Sequence, residues 1–91
     1  DKDLASSVDW FVRAAQQGHI RAQAKLGKRY ATGSGVKRND VLALKWSLLA
    51  AQNGDVAAIE NVKVLKRRLS GKSVSDASRQ AQLWVPVQET N

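Results

Sequence analysis

Cysteine is absent from the 91 residues, and proline and histidine occur once each. Without cysteine there is no disulfide framework, no thiolate zinc site and no cysteine nucleophile. That absence fits any compartment and assigns none. No apolar run approaches the roughly 20 residues that a membrane-spanning helix needs, so membrane insertion is not expected. No secretory signal is legible at the N-terminus. The chain opens on Asp1 rather than Met, which reads as a processed or cut-down product whose signal could have been lost. A lone imidazole, His19, makes no metal site. Catalysis needs a base beside a nucleophile and an oxyanion donor, and no such set is present. The expectation is therefore a chain that is no enzyme and carries no cofactor.

What is present is a repeat. Trp10-Phe-Val-Arg-Ala14-Ala15-Gln16-Gln-Gly18 is echoed by Trp46-Ser-Leu-Leu-Ala50-Ala51-Gln52-Asn-Gly54, an offset of 36 residues. Ala22 with Ala58, and Leu26 with Val62, keep the same offset. A fixed period in this range marks a solenoid, in which each unit buries its apolar face against its neighbours.

The intervals between these marks read as helices. Leu4, Val8, Phe11 and Ala15 fall on one face of a helix over 3–17, and Gly18 ends it in the left-handed C′ conformation. A second helix over 20–32 carries Ala22, Leu26 and Tyr30 on one stripe. Gly27 within it costs about 1 kcal/mol relative to alanine, which implies that another helix backbone packs against it. Gly33-Ser34-Gly35 is the clearest loop. The third helix, over 40–52, can be capped by Asn39 or Asp40. With Ala43, Trp46 and Ala50 on one stripe and leucines around it, this helix is apolar over most of its circumference and should be buried on several sides. A fourth helix over 56–69 places Ala58, Val62, Leu65 and Leu69 on one face. A fifth over 71–84, capped by Ser70 or Ser73, carries Ala77, Ala81 and Trp84. Pro86 stops any continuation. The fold class is all-α, an antiparallel helix-pair solenoid of about five helices.

The run Ala22-x3-Leu26-Gly27-x2-Tyr30-x2-Gly33-x-Gly35-Val36-x3-Asp40-x2-Ala43-x2-Trp46-x3-Ala50-Ala51-x2-Gly54 resembles one full Sel1-like repeat, a relative of the tetratricopeptide repeats. The resemblance extends over nearly the whole chain. It implies that residues 3–18 are the second helix of a partial repeat and that 20–54 are one complete repeat. Residues 56–69 would be the first helix of a degenerate repeat, with Lys63 where the glycine belongs and Lys66 where the tyrosine belongs. Residues 70–85 would be a capping helix and 86–91 a tail. It also implies an array that begins before Asp1. Such proteins are generally non-enzymatic scaffolds that bring other proteins together, in signalling, envelope or secretion settings in bacteria, so periplasm and cytoplasm both stay open as the compartment.

Trp10, Trp46, Trp84 and Tyr30 sit on apolar stripes and are expected in the core. Charge offers the one functional lead. Residues 19–38 carry six basic side chains and no acid, and residues 61–72 carry five. The first block (Arg21, Lys25, Lys28, Arg29) lies on the second helix and the other (Lys63, Lys66, Arg67, Arg68) on the fourth. First helices of successive pairs line the concave surface of a helix-pair solenoid, so both blocks should share one wall, chiefly through Arg21, Lys28, Arg67 and Arg68. The function expected is an interaction scaffold whose basic concave wall binds an acidic segment of a partner protein. The alternative is an anionic polymer on the same wall, whether nucleic acid, acidic polysaccharide or a lipid surface. Nucleic acid is disfavoured, because no aromatic is interleaved with the basic residues to stack bases. A bland alternative is a solvated polar face. Finally, Leu4, Val8 and Phe11 lack the partner helix of their own repeat, so the N-terminal helix is expected to support a homodimer.

Overall fold

The computed structural model describes residues 2–87, with side chains from residue 9 onward. Five helices follow one another: α1 (Lys2–Gln16), α2 (Ile20–Thr32), α3 (Asp40–Gln52), α4 (Val56–Arg68) and α5 (Gly71–Leu83). There is no strand among the described residues, and no described helix is long and apolar enough to cross a membrane. The side chains of Leu4 and Val8, and the tail residues 88–91, lie outside what is described.

Local chemistry sets the helix ends. Asn39 caps α3, its Oδ1 accepting the Leu42 N–H at 3.0 Å, and Asp40 is thereby freed for another role. Asp55 caps α4 through the Ala58 N–H at 2.9 Å. Ser70, not Ser73, caps α5, accepting the Ser73 N–H. Each cap satisfies a backbone donor that the helix itself leaves unpaired. Gly18 and Gly54 close α1 and α3 with φ of +96° and +87°, a region that residues with a Cβ rarely adopt.

Packing is helix against helix. α2 lies against α1, α3 and α4, and α3 lies against α2, α4 and α5. α3 is therefore enclosed on three sides, which explains why Ala43, Leu44, Trp46, Ser47, Leu49 and Ala50 are all buried on it. The α2–α3 contact is close because Gly27 has no side chain. A Cβ there would collide with Ser47 Oγ and stand 3.1 Å from the Ala43 carbonyl oxygen. Ala15, Ala22, Leu26, Trp46, Leu49 and Ala81 form one core, and Ala31, Ala43, Leu44, Leu65 and Ala77 a second beside it. Tyr30 is half-buried between the two. Ala14 and Ala51 are also half-buried, on the flanks of their helices.

Trp84 packs edge-on to Trp46, centroids 6.0 Å apart at 74°, a geometry that the ring quadrupole favours. Beyond it the chain turns back to α1, where the Val87 N–H donates to the Gln16 carbonyl at 2.7 Å.

Trp10 departs from expectation. It is 70% exposed, whereas Trp46 is 5% exposed. Trp46 is covered by α2 and α5. Trp10 stands on a side of α1 that no described helix covers.

Candidate functional site

α2 and α4 diverge enough to leave an open groove of about 780 Å³ between them. The α2 wall is made by Arg21, Lys25 and Lys28, which recur at intervals of four and three residues and so share one helix face, with Ala24 at the floor. The α4 wall is different in kind. Val56, Ala57 and Val64 give it an apolar surface, and Asp55, Glu60 and Asn61 supply its polar atoms. Asp55 is held by its capping bond. Glu60 is exposed on the rim, 3.5 Å from Lys63 Nζ. Asn61 donates from Nδ2 to Ser47 Oγ at 2.7 Å, which satisfies the one buried hydroxyl at the α2–α3 crossing.

Three of the five residues proposed from charge alone are thus brought together, and two are not. Arg67 is exposed and away from the groove, with Nε directed at the Lys63 carbonyl. Arg68 has a structural partner. Its Nη2 lies 3.1 Å from Asp40 Oδ1 and 3.3 Å from the Ala31 carbonyl oxygen. One turn beyond Val64 the fourth helix reaches the α2–α3 loop, where a carboxylate and an unpaired helix-end carbonyl take up the guanidinium. Asp40 also receives Arg38, through Nε at 3.3 Å and Nη2 at 3.1 Å. Hydrogen bonding from Arg38, aided by the charge of Arg68, holds the Asp40 carboxyl below the usual carboxylate range against the opposing effect of burial. Of the residues expected on one wall, those of α2 border the groove, while on α4 Arg68 is engaged as a latch and Arg67 stands apart.

Sequence reasoning passed over two polar residues, Gln23 and Lys45. Gln23 is buried and donates to the Ala15 carbonyl at 3.1 Å, satisfying the end of α1. Lys45 stands 4.5 Å over the Trp46 ring, and burial pulls its ammonium below the ordinary lysine value. Neither has a periodic signal, since each depends on what a neighbouring helix offers.

A second, shallower recess of about 330 Å³ lies at the open side of α1 and α2. Trp10, Phe11 and His19 line it together with Arg21 and Lys25, which belong to both depressions. Lys25 and Arg29 lie over the Phe11 ring at 6.0 and 5.7 Å from its centroid. An exposed aromatic does therefore accompany the basic residues, contrary to the sequence expectation. Among the described residues no cluster of side chains could hold a metal ion.

Known proteins place this arrangement in context. A chitin synthase regulator of the yeast Saccharomyces cerevisiae is 40% identical over 63 residues, covering 69% of this chain and 9% of the regulator. The crystal structure of a protective antigen of uropathogenic Escherichia coli, which displays an SLR fold, superposes with a TM-score of 0.86 at 32% identity. That match covers 92% of this chain and 18% of the antigen. The chain thus spans a small fraction of either protein. The Sel1 repeat model matches residues 1–19 and again 20–55. Two successive matches, on helices stacked with the 36-residue offset that the tryptophans mark, mean that the chain belongs to the Sel1 repeat family, whose members generally mediate protein–protein interaction as non-catalytic scaffolds.

Proposed function

We propose that this chain is an interaction module whose α2–α4 groove accepts an acidic segment of a partner protein. The observation that carries the reading is the row Arg21, Lys25 and Lys28, exposed along one side of the groove. None of these three has an acidic partner within 4.0 Å among the described residues, unlike Arg38, Lys63 and Arg68. Unneutralised cations beside a concave surface attract carboxylates, bidentately in the case of arginine, and steer their approach. α4 and α5 serve in this reading as the first helix of a degenerate repeat and the helix that caps the stack.

The test is capture of partner protein from nuclease-treated extract, with Arg21, Lys25 and Lys28 changed together to Glu in a second bait. Circular dichroism first establishes that both baits fold alike. A protein held by the first bait and lost by the second supports the groove. Equal retention sinks it. An Arg67→Glu bait should behave as the unsubstituted one.

A second reading, an anionic polymer on the same wall, gains from Trp10, whose exposed ring stands in the recess shared with Arg21 and Lys25. Counterion release would give such a complex a steep loss of affinity with salt. We also propose that α1, with this ring uncovered, takes up a second copy when this chain is alone in solution. Light scattering that gives a monomer at high concentration would overturn that.

A further inference from the structure

The two sides of the groove ask for different chemistry. Along α2 the cations of Arg21, Lys25 and Lys28 span about 10 Å at 1.5 Å per residue. Along α4, Val56 and Val64 are 73% and 47% exposed, two turns or about 12 Å apart, with Ala57 on the same side. A uniformly acidic chain would satisfy the first row. It would also leave the valines wet and bring carboxylates against Asp55 and Glu60, where like charges repel. A uniformly apolar chain would cover the valines and strip water from three cations without replacing it.

Resting on the acidic-segment reading, we infer that the partner segment is amphipathic across its width, with carboxylates on the edge facing α2 and aliphatic side chains on the edge facing α4. The α4 edge carries no acid where it meets Glu60. A helix is the form whose repeat fits. The cations rise by about 6 and 4.5 Å, close to one helical pitch of about 5.4 Å, whereas same-side residues of a strand are separated by about 6.6 Å. Carboxylates at i, i+4 and i+7 of a helix lying along α2 therefore meet the three cations in register. Asn61 lies beside Val64 on the groove wall, and its Nδ2 is engaged by Ser47. Its carbonyl oxygen remains an acceptor for a neutral polar side chain on the aliphatic edge.

Three probes test this by calorimetry. The first is a synthetic helical peptide with Glu at i, i+4 and i+7 on one edge and Leu on the next. The second has the same composition with Glu and Leu interchanged so that both edges are mixed. The third is poly-L-glutamate. The first peptide is expected to bind at least about tenfold more tightly than the second. Val64→Asn, which removes an exposed apolar side chain without adding charge, should remove that advantage and leave poly-L-glutamate still weakly bound. Methyl resonances of Val56, Ala57 and Val64 should shift with the first peptide. Equal binding of the two peptides, or a Val64→Asn variant that still discriminates, overturns the amphipathic edge while the acidic-groove reading stands. No binding of any probe, poly-L-glutamate included, overturns both.

Discussion

Trp10 and Trp46 occupy one repeat position 36 residues apart, yet one is 70% exposed and the other 5%. Their surroundings extend the contrast. The recess at Trp10 is lined by Phe11, Ala14, His19, Arg21, Ala22 and Lys25. One repeat later the same positions are Ser47, Ala50, Asp55, Ala57, Ala58 and Asn61, and there Ser47, Ala50 and Ala58 are buried. Ser47 in particular lies under Gly27 of α2. Burial at a solenoid position is thus a property of the neighbouring helix, and the residue itself only permits it. Where the two copies differ, Ser47, Asp55, Ala57 and Asn61 are replaced at the uncovered copy by the aromatic or basic Phe11, His19, Arg21 and Lys25.

The largest expected effect on this comparison is Trp46→Ala. It empties the main core and should cost about 3–5 kcal/mol, a large part of the roughly 5–15 kcal/mol that holds a domain folded. Trp10→Ala should change stability by about 0.5 kcal/mol or less. Urea unfolding followed by circular dichroism measures both, and equal losses would break the contrast.

Next is Gly27→Ala. Helix propensity alone favours alanine by about 1 kcal/mol. Overpacking against Ser47 and the Ala43 carbonyl should outweigh this, for a net loss of about 1–3 kcal/mol. At the corresponding position of α4, where the exposed Lys63 stands, Lys63→Gly should cost only the propensity difference of about 1 kcal/mol. A Gly27→Ala protein as stable as the parent would mean that α2 and α3 are not in the close contact described.

A smaller effect concerns the latch. The Asp40 carboxyl is lowered first by its hydrogen bond from Arg38 and also by the charge of Arg68. Its contribution is present above the unfolded value of about 3.9 and is lost as pH falls through the lower folded value. Both arginines are substantially exposed, so the gain is about 1 kcal/mol or less. The urea midpoint should decline below about pH 4, and Asp40→Asn should flatten that decline. An unchanged acid profile would show that the Asp40 pairs contribute nothing to stability.

The smallest effect is spectroscopic. Acrylamide should quench Trp10 emission strongly and Trp46 weakly, and Trp10→Phe should abolish the readily quenched component with the fold intact. A quenching curve unaltered by that substitution would show Trp10 to be covered, as by a second copy.

Much of the fold was legible because a repeat states its own period. Gly18 and Gly54 marked the helix ends, and Ala15, Leu26, Ala43 and Ala50 marked the buried stripes. Leu44 and its neighbours announced a helix enclosed on several sides. The groove was legible only in part. Charge counts brought Arg21, Lys25 and Lys28 to attention together with Arg67 and Arg68. Nothing in those counts separates a cation facing open water from one beside a carboxylate of another helix. The apolar side of the groove was passed over altogether. Val56 and Val64 lie off the stripe of Ala58, Val62, Leu65 and Leu69 that the periodicity marks, and only the packed helices show them exposed beside α2.

The sequence by itself determined the all-α class, the helix-pair period and the close approach at Gly27, since these follow from backbone conformation and side-chain volume within one repeat. Tertiary structure decided which tryptophan is covered, which arginine is spent on Asp40 and which face of α4 meets solvent. Each of these is an interaction between residues of different helices. Its energy depends on distance and on removal of water, and neither is set until the helices have packed.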